Sequence, residues 1–407
     1  MSLYKKIPLF HRIMIGFVLG IIVGLIIGPG ASMFEFLGTI MIRLLQLVVA
    51  PLIMCLMIST IGSVTDMKSF GSIAVKTILT YAVLMIIAIA IGLGLALLLN
   101  VGEGANIDVG SLEAAENVEV SFVDTLVNMV PENIFAALST DQLIQVIVFS
   151  LIFAYALTKL GERGQKVIGV FDILADGMKG VVNVVLEVTP FGVFGLMANV
   201  IGNNGISIMI PYAKVLLAVY LASLIQTVVV HAGIIGWLIC RVSPKKFIVS
   251  SKESMTFAFA TCSSVATIPL ALKATRRLGV PERIGNFIIT IGSNMSMDGI
   301  AIYQGVAVVF ASQVFGIELS LAQYITIMFA STLASLGVAG VPGSGLIVLT
   351  IVLRTVGLPL EAVGILAGVD RLLNMGRIIP NVTADIATSC MVSKLEEGLD
   401  PNPPAVD

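Results

Sequence analysis

Five polar side chains near the C-terminus have the spacing of a single helix face. They are Asp370, Asn374, Arg377, Asn381 and Asp385, separated by four, three, four and four residues. At ~100° per residue these intervals bring all five to one side. Arg377 presents a planar fork of donors that suits a carboxylate. Asp385, and Asp298 further upstream, are hard oxygen donors that suit a small cation or a proton. The bland alternative is an ion-pair network that only docks two helices. Two acids, one base and two amides are more than docking requires.

Further candidates lie at breaks in the apolar pattern. Around Gly292–Ser296 and Gly340–Gly345 a broken helix would free carbonyl oxygens for cation ligation. Ser263 and Ser264 sit at a candidate hairpin tip, where hydroxyls bind a solute or satisfy backbone groups. The Val341-Pro342-Gly343 run is either a turn or part of the site. His231 stands alone in an apolar run and reads as a core or interface histidine. Neither His231 nor His11 reads as catalytic. The cysteines Cys55, Cys240, Cys262 and Cys390 are scattered, without paired or metal-ligand spacing, and read as small buried residues.

The elements that position these residues are membrane helices. The chain has 407 residues, 57% hydrophobic and 12% charged. A soluble domain carries roughly 25% charged residues. From Leu319 to Leu353 the only ionisable side chain is Tyr324, and from Ile284 to Ile317 the only charged one is Asp298. Apolar runs of ~20 residues cross a bilayer as helices. Lipid offers no backbone partners, so only helices or closed barrels span it, and these runs are too long for barrel strands. A charge inside the membrane is costly and is a functional candidate by default. Nothing basic or aromatic-interleaved points to nucleic acid.

Basic residues orient the chain. Lys5, Lys6 and Arg12, then Lys68 and Lys76, then Lys159, Arg163 and Lys166, then Arg241, Lys245, Lys246 and Lys252 alternate with base-free links. The basic N-terminus followed by an apolar run resembles a signal peptide, but many spans follow and no clear cleavage site does. About six spans are expected from Phe10 to Cys240, with both termini cytoplasmic. The stretch Met255–Leu272 begins and ends on the basic side and reads as a re-entrant hairpin. The uncharged run Leu319–Leu353 breaks at Val338–Gly345 and reads as a second, entered from outside. The order hairpin, span, hairpin, span is that of an inverted repeat whose broken helices meet at the midplane.

The motifs Cys262-Ser263-Ser264-Val265-Ala266-Thr267-Ile268-Pro269, Met297-Asp298-Gly299, Ser335-Leu336-Gly337-Val338-Ala339-Gly340-Val341-Pro342-Gly343, and Asp370 through Asp385 stand in a specific order. With them the chain resembles, over nearly its whole length, the dicarboxylate/amino acid:cation symporters, the glutamate transporter homologues. The resemblance implies an all-α polytopic fold of about eight transmembrane helices plus two re-entrant hairpins, working as an elevator. It implies a homotrimer in the cell membrane. Residues 9–70 and 120–203 would form a scaffold. Residues 74–100 and 208–395 would form a mobile transport domain, with the second hairpin as extracellular gate. Residues 396–407 read as a disordered tail.

By the same resemblance, Ser263, Ser264, the backbone at Val341, Asn374, Arg377 and Asn381 surround the substrate. Arg377 holds its side-chain carboxylate. Asp385, with backbone oxygens of Gly292 and Asn381, serves one sodium site, and the backbone around Ser335 a second. Asp298 and Tyr81 belong to a third. Na+ is the implied coupling ion, with H+ as the alternative, and no organic cofactor is implied.

The chain also departs from that pattern. Asn374 stands where members for acidic amino acids commonly have an Asp that holds the amino group. Ile300 and Ile378 stand where Thr is common, and Ser296 replaces an Asn. Leu84 and Met85 replace hydroxyl residues that help ligate sodium. The expectation is a symporter for an acidic amino acid or a C4-dicarboxylate. The alternatives are a neutral amino acid or cystine symporter and an uncoupled channel. A hydrolase built on Ser344 or Ser264 lacks a motif that brings a base within reach.

Overall fold

The computed structural model describes residues 7, 9–64, 71–103, 127, 130–140, 142–205, 209–336 and 344–400. Every regular element among the described residues is helical. In chain order these are α1 (Leu9–Ile27), a 3-10 turn (Gly28–Phe34), α2 (Glu35–Val64), α3 (Gly71–Leu99), α4 (Ile134–Ser139), α5 (Leu143–Lys159) and α6 (Glu162–Asn204). Then α7 (Met209–Ile225) runs directly into a π-helical stretch (Gln226–Ile239). Next come α8 (Pro244–Thr261), α9 (Ser264–Arg277), α10 (Glu282–Met295), α11 (Asp298–Val314), α12 (Leu321–Leu336), α13 (Ser344–Thr355), α14 (Glu361–Ala367) and α15 (Asp370–Glu396).

Four helical segments among the described residues are long and apolar enough to cross a membrane: His11–Met41, Gly71–Leu99, Met209–Ile239 and Glu282–Val314. Shorter apolar helices add Ala50–Ser59, Gln145–Lys159, Leu321–Leu336 and Gly345–Thr355. Large apolar side chains such as Ile26, Leu98 and Ile173 are exposed on the outer faces. Such a surface suits contact with lipid.

The helices group by packing. The long α6 lies along α1 and α2. Small residues allow the close approach, as they do wherever lipid supplies no hydrophobic drive between helices. A Cβ placed on Gly16 would lie 2.3 Å from the Pro190 carbonyl oxygen, and one on Gly24 would lie 2.8 Å from that of Ala198. Arg12 of α1 adds an ion pair to Glu187 of α6.

The second group is built on α3, α7, α11 and α15. A Cβ on Gly92 of α3 would lie 2.5 Å from the Ile302 carbonyl oxygen of α11. The pairs α8/α9 and α12/α13 pack helix against helix on this group. Its basic end is tied together by Lys76 with Glu396 (2.6 Å) and by Arg283 with Glu397. The segment 396–400, expected as the start of the tail, folds back instead, with the Asp400 amide donating to the Gly279 carbonyl at 2.8 Å. The groups touch where Gly368 meets Phe17 and Met197, and where the Tyr212 ring lies 6.4 Å from that of Phe17.

Two breaks matter for the site. Between α8 and α9 the chain turns at Cys262, whose φ of 55° is left-handed, and Ser263, which is extended. Between α10 and α11 it opens at Ser296 and Met297. A helix that starts at such a break exposes unpaired backbone N–H groups. Asn381 of α15 takes one of them: its Oδ1 accepts from the Gly299 amide at 2.6 Å.

Candidate substrate and cation site

The stripe on α15 faces inward as its spacing predicts. Asp370, Asn374, Arg377, Asn381 and Asp385 are all buried. Pro380 interrupts the backbone bonding of this helix without ending it. The five residues divide into two clusters along the helix.

The first centres on Arg377, which is 1% exposed. Its Nη2 lies 2.9 Å from Asp370 Oδ1, and its Nε donates to Asn374 Oδ1 at 3.3 Å. The guanidinium stacks over the Tyr303 ring, 4.5 Å from the centroid. Gly345, at the start of α13, closes over it: a Cβ there would lie 2.4 Å from Nη2. Gln304 holds that closure, its Nε2 donating to the Gly345 carbonyl at 3.1 Å. Arg377 Nη1 has no hydrogen-bond partner among the described residues. A buried donor left without a partner costs ~1–3 kcal/mol, and more when charged. An incoming carboxylate oxygen at Nη1 offsets that cost.

The two serines play different parts. Ser263 caps α9: its Oγ accepts from the Ala266 amide at 3.2 Å, and its carbonyl accepts from Thr267 Oγ1 at 2.7 Å. Ser264 is buried, with a hydroxyl that has no partner among the described residues. The helix that follows this tip, α9, packs against α15, which carries the first cluster. Val341 lies outside the described residues. Ser335, at the end of α12, is fully buried with a hydroxyl that has no partner among them.

The second cluster centres on Asp385. Its Oδ1 accepts from the Tyr81 hydroxyl at 3.0 Å. Tyr81 also lies within donating distance of the Ile288 carbonyl, at 3.2 Å. Gly292 faces both: a Cβ on it would lie 2.1 Å from Asp385 Oδ1 and 2.2 Å from the Tyr81 oxygen. Only glycine leaves this space open. Tyr81 is therefore hydrogen-bonded to Asp385, although the resemblance groups it with Asp298.

Asp298 forms a third centre. Its Oδ2 accepts from Gln226 Nε2 at 2.8 Å and from His231 Nε2 at 3.0 Å. His231 is indeed buried, as expected, but it is a partner of Asp298 and not a bystander in an apolar wall. Gln226, Tyr303 and Gln304 were not among the expected site residues. Each is a polar residue inside an apolar run, which is the signal that points to them.

Across residues 9–395 the chain matches the sodium:dicarboxylate symporter family. The chain belongs to that family. Among its relatives is a protein of Bacillus caldotenax named proton/sodium-glutamate symport protein, 33% identical, with 96% of this chain and 95% of the relative covered. Another is C4-dicarboxylate transport protein 1 of Ralstonia nicotianae, 32% identical over 96% and 93%. The proton/glutamate-aspartate symporter of Escherichia coli is 31% identical over 97% and 94%. Membership makes this chain a membrane transport protein of a symporter family, and its apolar helices are those of a multi-pass protein.

Proposed function

We propose that this protein is a secondary symporter that couples inward cation movement to uptake of a C4-dicarboxylate. The observation that carries the reading is the environment of Arg377. Its Nη1 has no hydrogen-bond partner among the described residues and can take a carboxylate, and its Nε is met by Asn374 Oδ1 at 3.3 Å. A guanidinium only donates, so Asn374 must turn its carbonyl oxygen toward it. The Asn374 amide group then offers N–H donors to the substrate. Donors suit a second carboxylate, a hydroxyl or a carbonyl, and oppose an ammonium. Asp370, the other acid within reach, is engaged by Arg377.

An acidic amino acid is the second reading, favoured by the glutamate and glutamate-aspartate relatives. Ser264 and the chain around Val341 complete the substrate pocket in either case. The coupling cation is Na+, with H+ as the alternative. Asp385, the carbonyls near Gly292 and Asn381, and the backbone around Ser335 supply its oxygens. The division into an α1–α2–α6 group and an α15-centred group supports an elevator motion of the second against the first. Each half of the broken-helix pair, α8/α9 and α12/α13, is read as a re-entrant hairpin. A homotrimer in the plasma membrane with cytoplasmic termini completes the proposal.

The test is uptake by proteoliposomes of labelled succinate and labelled L-aspartate, under inward sodium and inward proton gradients. Accumulation of succinate above its outside concentration, with aspartate at least tenfold less effective, supports the dicarboxylate reading. Aspartate accumulation resistant to succinate supports the amino acid. Equilibration without accumulation indicates a channel and refutes symport.

A further inference from the structure

The π-helical stretch Gln226–Ile239 is unusually long for that geometry. Its i→i+5 bonding is rare and concentrates at functional sites. In an α-helix, residues five apart are ~140° apart around the axis. In π winding they fall close to one face. Gln226 and His231 are five apart, and both reach Asp298 Oδ2, at 2.8 Å and 3.0 Å. All three side chains are 0% exposed. The winding therefore has a local consequence: it delivers two nitrogen donors to one buried carboxylate.

The bonding around these groups is specific. A carboxylate accepts, so His231 Nε2 carries a hydrogen toward it. His231 Nδ1 faces Thr383 Oγ1 at 2.9 Å. Gln226 Nε2 has two hydrogens, and its second acceptor is the Leu84 carbonyl at 3.2 Å. The Tyr81 hydroxyl is committed to Asp385 at 3.0 Å. Leu84 and Met85, 2% and 0% exposed, contribute no side-chain oxygen.

A dehydrated hard cation gathers several oxygens, typically about six. One Asp298 carboxylate oxygen and the Leu84 carbonyl of α3 are both taken by N–H donors. Hydrogen-bearing nitrogens aimed at a carboxylate oppose a metal ion there. We infer that Asp298 is held by the N–H donors of Gln226 and His231 and not by a coupling ion, so the chain carries one sodium site fewer than its family resemblance implies. The π-helical stretch supplies hydrogen bonds to the carboxylate oxygen that a cation would otherwise occupy. Asp298 Oδ1 and Gln226 Oε1 have no partner among the described residues, so the experiment must read that side of the carboxylate directly.

The inference rests on the symport reading only in taking sodium as a cargo, and its test needs no transport. Purified full-length protein is heated in increasing NaCl at constant ionic strength, and the sodium dependence of Tm counts ions bound by the folded state. Asp298→Asn is expected to keep the wild-type sodium dependence, while Asp385→Asn weakens it. A loss in Asp298→Asn equivalent to one bound ion overturns the inference. Should Asp298→Asn fail to fold, crystals of the wild-type protein soaked in Tl+, as a sodium surrogate, decide the matter. Anomalous density at Asp385 without density in ligand contact with Asp298 supports the inference, and density at Asp298 overturns it. Failed uptake of succinate and aspartate with an unchanged sodium count would count against the transport reading alone.

Discussion

In the segment starting at His11, 28% of the most apolar stretch is buried; in the segment starting at Glu282, the figure is 100%. The first belongs to the α1–α2–α6 group and the second to the group around α15. Both are helical and apolar, yet they are held by different means. The first relies on glycines that let backbones touch, with a half-exposed ion pair, Arg12 with Glu187, near its end. The second surrounds Arg377, Asp298 and Asp385 and gives each at least one hydrogen-bond partner, from Asn374, Gln226, His231 and Tyr81. Buried charge is tolerated only when paired and hydrogen-bonded. The polar residues of the second group are thus tolerated in its interior because they partner one another. Lipid-facing packing and buried polar chemistry thus lie in separate parts of the chain.

The sharpest way to break this comparison is Arg377→Ala. Removing one partner of a buried pair costs ~3–5 kcal/mol because Asp370 is left uncompensated. Uptake of acidic substrate is expected to fall at least a hundredfold, on the order of 3 kcal/mol of transition-state or binding free energy. Uptake within threefold of wild type would refute the role of Arg377.

Gly292→Ala comes next. The added methyl meets Asp385 Oδ1 and the Tyr81 oxygen, and overpacking of this kind costs ~1–3 kcal/mol. The sodium concentration for half-maximal uptake should rise about tenfold or more. An unchanged sodium requirement would separate Gly292 and Asp385 from the cation path.

Gly16→Val probes the other group. It strikes the Pro190 carbonyl, so Tm should drop by a few degrees, equivalent to ~1–3 kcal/mol. Substrate affinity of the surviving folded protein should stay within twofold. A selective loss of affinity would mean that the two groups are not separate in function.

The smallest effect belongs to Glu396→Gln at the end of α15. Hydrogen bonds from Lys76 and Ser72 hold this exposed carboxyl below the ordinary glutamate range. A depressed folded value means the stabilisation is present above the unfolded pKa and is lost as pH falls through the folded one. The variant should therefore melt slightly earlier than wild type at pH 7, and the difference should close below about pH 4. A difference that grows on acidification would contradict the assignment.

Much of the site was legible because helix spacing is rigid. The intervals from Asp370 to Asp385 dictated one face, and the burial of all five residues follows from it. A break was legible over Gly292–Ser296, but Gly292 lies inside α10 and the chain opens only at Ser296 and Met297; the link of Gly292 to Asp385 came with the resemblance. Other features were hidden for physical reasons. Gln226 and His231 are not neighbours on an α-helix, and only π winding brings them together on Asp298. Tyr81 can reach two acids from α3, and spacing says nothing about which hydroxyl bond forms. Ser263 and Ser264 are adjacent and chemically identical, yet a change of φ and ψ at Ser263 makes one a cap and leaves the other free. The lone look of His231 came from reading its own helix, when its partners lie on α11 and α15.

The most direct measurement is solute accumulation by the purified protein in liposomes with an inward sodium gradient, using labelled succinate with unlabelled L-aspartate as competitor. The account predicts concentrative succinate uptake, abolished in Arg377→Ala and poorly inhibited by aspartate, with Asn374→Asp shifting preference toward aspartate by tenfold or more. Concentrative uptake of aspartate that succinate does not inhibit, unchanged in Asn374→Asp, would contradict it.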